Sequence, residues 1–133
     1  MGDANVARVL DVGNCDPDHS SIRLMLTTHF RVEVDRVMFV DDALSKMRQK
    51  SYDLVLFNRL IFADGSDGME LLRRARREPD LADIPIMMVS NFAEAHAKSV
   101  AAGGVPGFGK AAINQPSTLD LLCAYLPRNA IHQ

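Results

Sequence analysis

A chain of 133 residues has the size of one domain, able to bury roughly two-thirds of the surface its unfolded form exposes. Its 47% hydrophobic and 24% charged residues lie near the globular average, which excludes a disordered tail, a collagen-like repeat and a disulfide-stapled mini-protein. A formal net charge of −2 provides no global field for nucleic acid or an anionic membrane, so neither is an expected partner. The opening residues, M-G-D-A-N-V-A-R, place an acid before any apolar run, and no apolar stretch approaches the ~18 residues of a spanning helix. No signal peptide is expected, and a cytoplasmic location follows by default.

Short apolar runs alternate with longer stretches of helical period, which predicts βα units around a parallel sheet. The first strand is R-V-L-D-V-G from Arg8. The helix after it opens at Asp16, read as a cap, or at Pro17, and carries Ile22, Met25, Leu26 and His29 on one face. A second strand runs from Arg31, and Asp41 or Asp42 is expected to cap a helix with Leu44 and Met47 inward. The run D-L-V-L-F-N from Asp53 reads as a doubly buried central strand ending at Asn58. A turn-rich loop then leads into M-E-L-L-R-R-A-R-R, with Leu71, Leu72 and Ala75 inward and Arg73, Arg74, Arg76 and Arg77 forming a solvated face.

Pro85 opens a fourth buried strand, I-M-M-V-S. Asn91 and Glu94 stand at capping-box spacing before a helix that reaches Gly103. The fifth strand, V-P-G-F-G from Val105, contains a proline and so belongs on a sheet edge. Ser117 or Thr118 is expected to cap a last helix, L-D-L-L-C-A-Y-L, followed by Pro127. No linker or repeat divides the chain, so residues 1–133 read as one domain with a core of about 5–127.

In an open doubly wound sheet the functional crevice lies outside the carboxyl ends of the strands. Those ends are Asn14 and Cys15 after strand one, Asn58 after strand three, Ser90 after strand four and Lys110 after strand five. The segments V-L-D-V-G-N-C-D-P-D-H, Y-D-L-V-L-F-N, D-G-M-E-L-L-R-R, A-D-I-P-I-M-M-V-S and A-G-G-V-P-G-F-G-K together resemble the receiver domains of two-component response regulators, from Arg8 to Pro127. The resemblance implies an α/β, flavodoxin-like, five-stranded parallel sheet of order 2-1-3-4-5 with five helices. It also implies a role in signal transduction and phosphorelay.

Receivers carry an acidic pair after strand one and a phosphoaccepting Asp after strand three, which hold Mg²⁺ and take a phosphoryl group from a histidine kinase. By the resemblance, Asn14, Cys15 and Asn58 occupy those positions. Mg²⁺ demands hard, mostly anionic oxygen ligands, and an amide is a poor nucleophile toward phosphorus because its lone pair is delocalised. The phosphorylation site is therefore expected to be degenerate, with no metal and no cofactor. Ser90 and Lys110 keep the hydroxyl and lysine positions that contact the phosphoryl group in the family. Gly107 stands where the family carries an aromatic switch residue, Ala111 replaces its proline, and the loop from Asn58 to Gly68 is longer than its common pattern.

The expected function is a phosphorylation-independent, non-enzymatic module that binds a protein: another signalling protein, a fused output domain or a second copy of the chain. Its contacts are expected on the edge strand and flanking helices, at Phe108, Tyr125 and the helix from Asn91. The alternatives are a small-ligand or anion sensor using Ser90, Lys110 and the Asn14 and Asn58 amides, or a receiver phosphorylated at Asp64 or Asp67. Residues 104–110 also match P-loop spacing, but Ala111 lacks the metal-binding hydroxyl and Pro106 lacks an amide donor, so a βα turn is expected there. Cys15 reads as a small buried hydrophobe. Asp11, inside an apolar strand, is expected to face solvent or to neutralise a cation such as Lys110. Cys123, His19, His29, His96 and His132 are scattered without metal-site spacing and are assigned no role.

Overall fold

The computed structural model describes residues 6–129. His132, assigned no role, lies outside the described residues. Strands and helices alternate throughout: β1 (Ala7–Val12), α1 (Asp16–His29), β2 (Val32–Val37), α2 (Val40–Gln49), β3 (Leu54–Asn58), α3 (Met69–Arg76), β4 (Ile86–Val89), α4 (Ala93–Ala101), β5 (Val105–Phe108) and α5 (Pro116–Leu122). The strands form one parallel sheet in the order β2-β1-β3-β4-β5, as the resemblance implied.

Leu54, Val55, Leu56 and Phe57 are all fully buried, because β3 is central and covered on both faces. Alternation along the strands divides the core into two layers. Leu10, Val12, Val55 and Phe57 pack with Leu44, Met47, Leu71 and Leu72 of α2 and α3. Val9, Leu54 and Leu56 pack on the other face with Ile22, Met25 and Leu26 of α1 and Leu122 of α5.

The side-chain caps expected at Asp16, Asp41 or Asp42, Asn91, and Ser117 or Thr118 do not form. The chain enters α1, α2, α4 and α5 through the extended residues Cys15, Phe39, Phe92 and Gln115, none of which makes a side-chain cap. Several of the expected caps find partners elsewhere in the fold. Asp16 pairs with Arg36 at 2.8 Å, and Asp41 accepts from Arg74 at 2.7 Å. Asn91 Oδ1 accepts from Ala111 N at 2.9 Å, and Thr118 Oγ1 donates to Ala112 O at 2.6 Å. Acids left inside the first turns of α1 and α2 still favour those helices through the dipole. The last helix begins at Pro116, so its proline sits in the first turn, and it ends at Leu122.

The arginine face of α3 is not merely solvated. Arg76 donates to the carbonyls of Gly103, Leu81 and Ile84, tying α3 to the segments that lead into β5 and β4. Burial pulls its guanidinium down from the ordinary value. Arg73 pairs with Asp67 and Glu70, while Arg77 is exposed.

Strand β5 lies at the edge, as its proline predicts. Its pairing with β4 shifts between Met87 and Val89, and the irregularity turns both Val105 and Phe108 toward the α1/α5 layer although they are three residues apart. Phe108 is therefore buried in that layer, which corrects its assignment as an interface anchor, while Tyr125 is half-buried beside it.

Candidate functional site

The carboxyl ends of the strands bring Asn14, Asn58, Ser90 and Lys110 to one end of the sheet, and each is already engaged. Asn58 Nδ2 donates to Leu60 O at 2.5 Å and reaches Gly13 O at 3.5 Å. Ser90 Oγ accepts from Phe92 N at 3.1 Å, closing the turn into α4, and Ser90 O lies 2.6 Å from His96 Nε2. Lys110 Nζ lies 2.8 Å from Asp18 Oδ2, an ion pair that ties the segment after β5 to the first turn of α1.

Asp18 is a residue that sequence reasoning missed. Its position in the first turn of α1, one turn after Cys15, was the available signal, because α1 starts beside the crevice. The Lys110 hydrogen bond, foremost, and a further one with Cys15 hold its carboxyl below the usual carboxylate range against the opposing effect of burial. Cys15 is half-exposed rather than a buried hydrophobe, since it is the extended residue from which α1 departs.

Because Asp18 is depressed below its unfolded value, its stabilisation is present above the unfolded pKa and disappears as pH falls through the folded one. Lys110→Met is expected to move the Asp18 titration upward, toward the ordinary carboxylate value. Carboxyl NMR titration of the two proteins checks this, and an unmoved Asp18 curve counts against the ion pair.

Asp11 overturns the expectations placed on it. It is fully buried, facing the α1/α5 layer, and it meets neither solvent nor Lys110. Asn14 Nδ2 donates to Asp11 Oδ1 at 2.5 Å, and His19 Nδ1 lies 2.6 Å from Asp11 Oδ2. His19, assigned nothing in the sequence, reaches back to Asp11 from the first turn of α1, which starts shortly after β1 ends. A buried carboxylate needs such partners to offset its lost hydration. The amide of Asn14 is thereby turned into the core, and Arg36 donates to its backbone carbonyl at 2.9 Å.

The longer loop after β3 folds back on itself, with Leu60 and Asp67 paired antiparallel. Ile61 is buried beneath Gly13, whose φ of 76° and 2.5 Å gap from an added Cβ to Ile61 Cδ1 leave room only for glycine. Asp64 is exposed and accepts from Ser66 N and Oγ; Asp67 Oδ1 accepts from Met69 N. Residues 105–108 of the P-loop-like run form β5 itself. Among the described residues, no three His, Cys, Asp or Glu side chains converge to hold a metal, and no helix is long and apolar enough to cross a membrane.

No protein-family model and no curated protein matches the sequence, so the likeness to known proteins is structural. A response regulator from Chloroflexus aurantiacus superposes with a TM-score of 0.74 at 23% identity, covering 88% of this chain and 93% of that one. The chemotaxis response regulator CheY4 of Vibrio cholerae gives 0.70 at 20% identity, covering 90% and 97%. The receiver domain of NtrX from Brucella abortus gives 0.66 at 19% identity, covering 87% and 92%. With the strand order 2-1-3-4-5 and the site at the carboxyl ends of its strands, the chain has the fold of response-regulator receiver domains.

Proposed function

We propose that this chain is a degenerate receiver that acts as a phosphorylation-independent signalling module by binding another protein. The observation that carries the reading is the ion pair between Lys110 and Asp18. The lysine that would meet a phosphoryl group is neutralised from within the chain, and the neighbouring position after β3 carries an amide, Asn58, bonded back to its own loop. An amide lacks the charged oxygen that aspartyl-phosphate chemistry uses, and Asn14 and Cys15 offer Mg²⁺ no carboxylate. Anion sensing is the weaker reading, because Lys110 is neutralised by Asp18 and the amide nitrogens of Asn14 and Asn58 donate to Asp11 and to Leu60 O.

Incubation with acetyl phosphate and millimolar Mg²⁺ tests this by intact-mass spectrometry. The expected result is an unmodified chain whose thermal midpoint does not respond to Mg²⁺, since a ligand that does not bind the folded state cannot shift its unfolding. A phosphoryl increment mapped to Asp64 or Asp67 overturns the reading in favour of a receiver with a displaced acceptor.

A further inference from the structure

We infer that the surface around residues 59–67 is a self-complementary interface that pairs two copies of this chain. This deepens the reading of the chain as a protein-binding module and rests on it. Of the six exposed large hydrophobic side chains among the described residues, four lie on loops at the carboxyl ends of strands: Phe39 (42%), Leu60 (43%), Phe62 (65%) and Phe92 (60%). Single exposed apolar residues are ordinary, but a cluster on one end of a domain marks an interaction surface.

Two hollows flank the 59–67 loop and share Asp67 and Arg73, which pair with each other at 3.2 Å. The first, about 810 Å³, opens between α3 and α4 over Met69, Met88 and Ala95. It holds two cations without an ion pair, Lys98 and Arg59, the latter 5.0 Å from the Phe92 ring centroid, against one such acid, Glu94. The second, about 660 Å³, lies between α2 and the loop beside Phe39. Its two arginines are committed to Asp41, Asp67 and Glu70, which leaves Asp42 and Asp64 without a cation.

The surplus charge is thus positive on one side of the Asp67–Arg73 pair and negative on the other. A two-fold axis through that pair lays each hollow against the opposite hollow of a second copy, so Arg59 and Lys98 face Asp42 and Asp64 twice over. Such isologous closure is the commonest form of homo-oligomer, and it covers Phe92 and Phe39, which line the first and second hollow. A second copy answers both hollows at once, whereas an acidic partner would answer only the first.

Sedimentation equilibrium of the full chain without phosphodonor, from micromolar to millimolar protein, is expected to show a monomer–dimer equilibrium that added salt weakens. Arg59→Glu/Lys98→Glu and Asp42→Lys/Asp64→Lys change only exposed or half-exposed side chains, and circular dichroism verifies that each variant folds. Each variant alone is expected to associate at least tenfold more weakly. Their equimolar mixture recovers a one-to-one heterodimer, because all-negative then meets all-positive on both sides of the axis. A chain that stays monomeric, a dimer indifferent to both variants, a mixture that fails to recover, or open-ended polymers overturn the pairing. Those outcomes are separate from phosphoryl transfer to the chain, which bears on the underlying reading alone.

Discussion

Asn14→Asp is expected to cost about 3–5 kcal/mol at neutral pH, lowering the thermal midpoint by more than ~10 °C. Asn14 is 1% exposed, and its amide donates to the fully buried Asp11. A carboxylate in its place removes that donor and sets a second negative charge against the first in the interior. The new carboxyl holds its proton more tightly when folded than when unfolded, so the folded state binds more protons in the acidic range. The loss is therefore small below about pH 4 and grows as pH rises through the ordinary carboxylate range. Cys15→Asp, at a half-exposed position, should cost less than ~1 kcal/mol and serves as the control. Urea unfolding at pH 4 and pH 7 measures both. Equal stability of parent and Asn14→Asp at pH 7 sinks the Asp11–Asn14 contact. An acid at position 14 thus conflicts with the buried carboxylate this chain carries three residues earlier.

The second large effect concerns the edge strand. Gly107→Ala is expected to destabilise the fold by more than ~3 kcal/mol, and Gly107→Tyr to unseat β5. A Cβ at this position falls 2.0 Å from the backbone carbonyl oxygen of Met88 and 3.1 Å from His96 Cε1. Backbone of a neighbouring strand cannot move aside without giving up sheet hydrogen bonds. An aromatic at this position would consequently displace β5 and expose the buried Phe108. Thermal melting together with amide exchange of residues 105–109 reads the result. A Gly107→Ala protein that melts with the parent shows that β5 does not pack this closely.

What the amino-acid order determined by itself was the frame. The apolar runs Leu54–Phe57 and Ile86–Val89 read as strands covered on both faces, and Pro106 assigned β5 to an edge, as the sheet shows. Those features are local, because period, branching and a missing amide act within a few residues. The positions of Asn14, Asn58, Ser90 and Lys110 at strand ends followed from the same frame. Their partners did not, since polar side chains choose among groups that only folding brings near. Asp18 reaches Lys110 across most of the chain length, His19 turns back from the first turn of α1 to Asp11 in β1, and Asn91 answers Ala111 rather than its own helix. Phe108 turned inward because a shift in pairing between two strands reversed the alternation that its sequence would suggest. Periodicity is thus written in the chain, whereas the satisfaction of buried charge and the register of an irregular edge are settled only when distant segments meet.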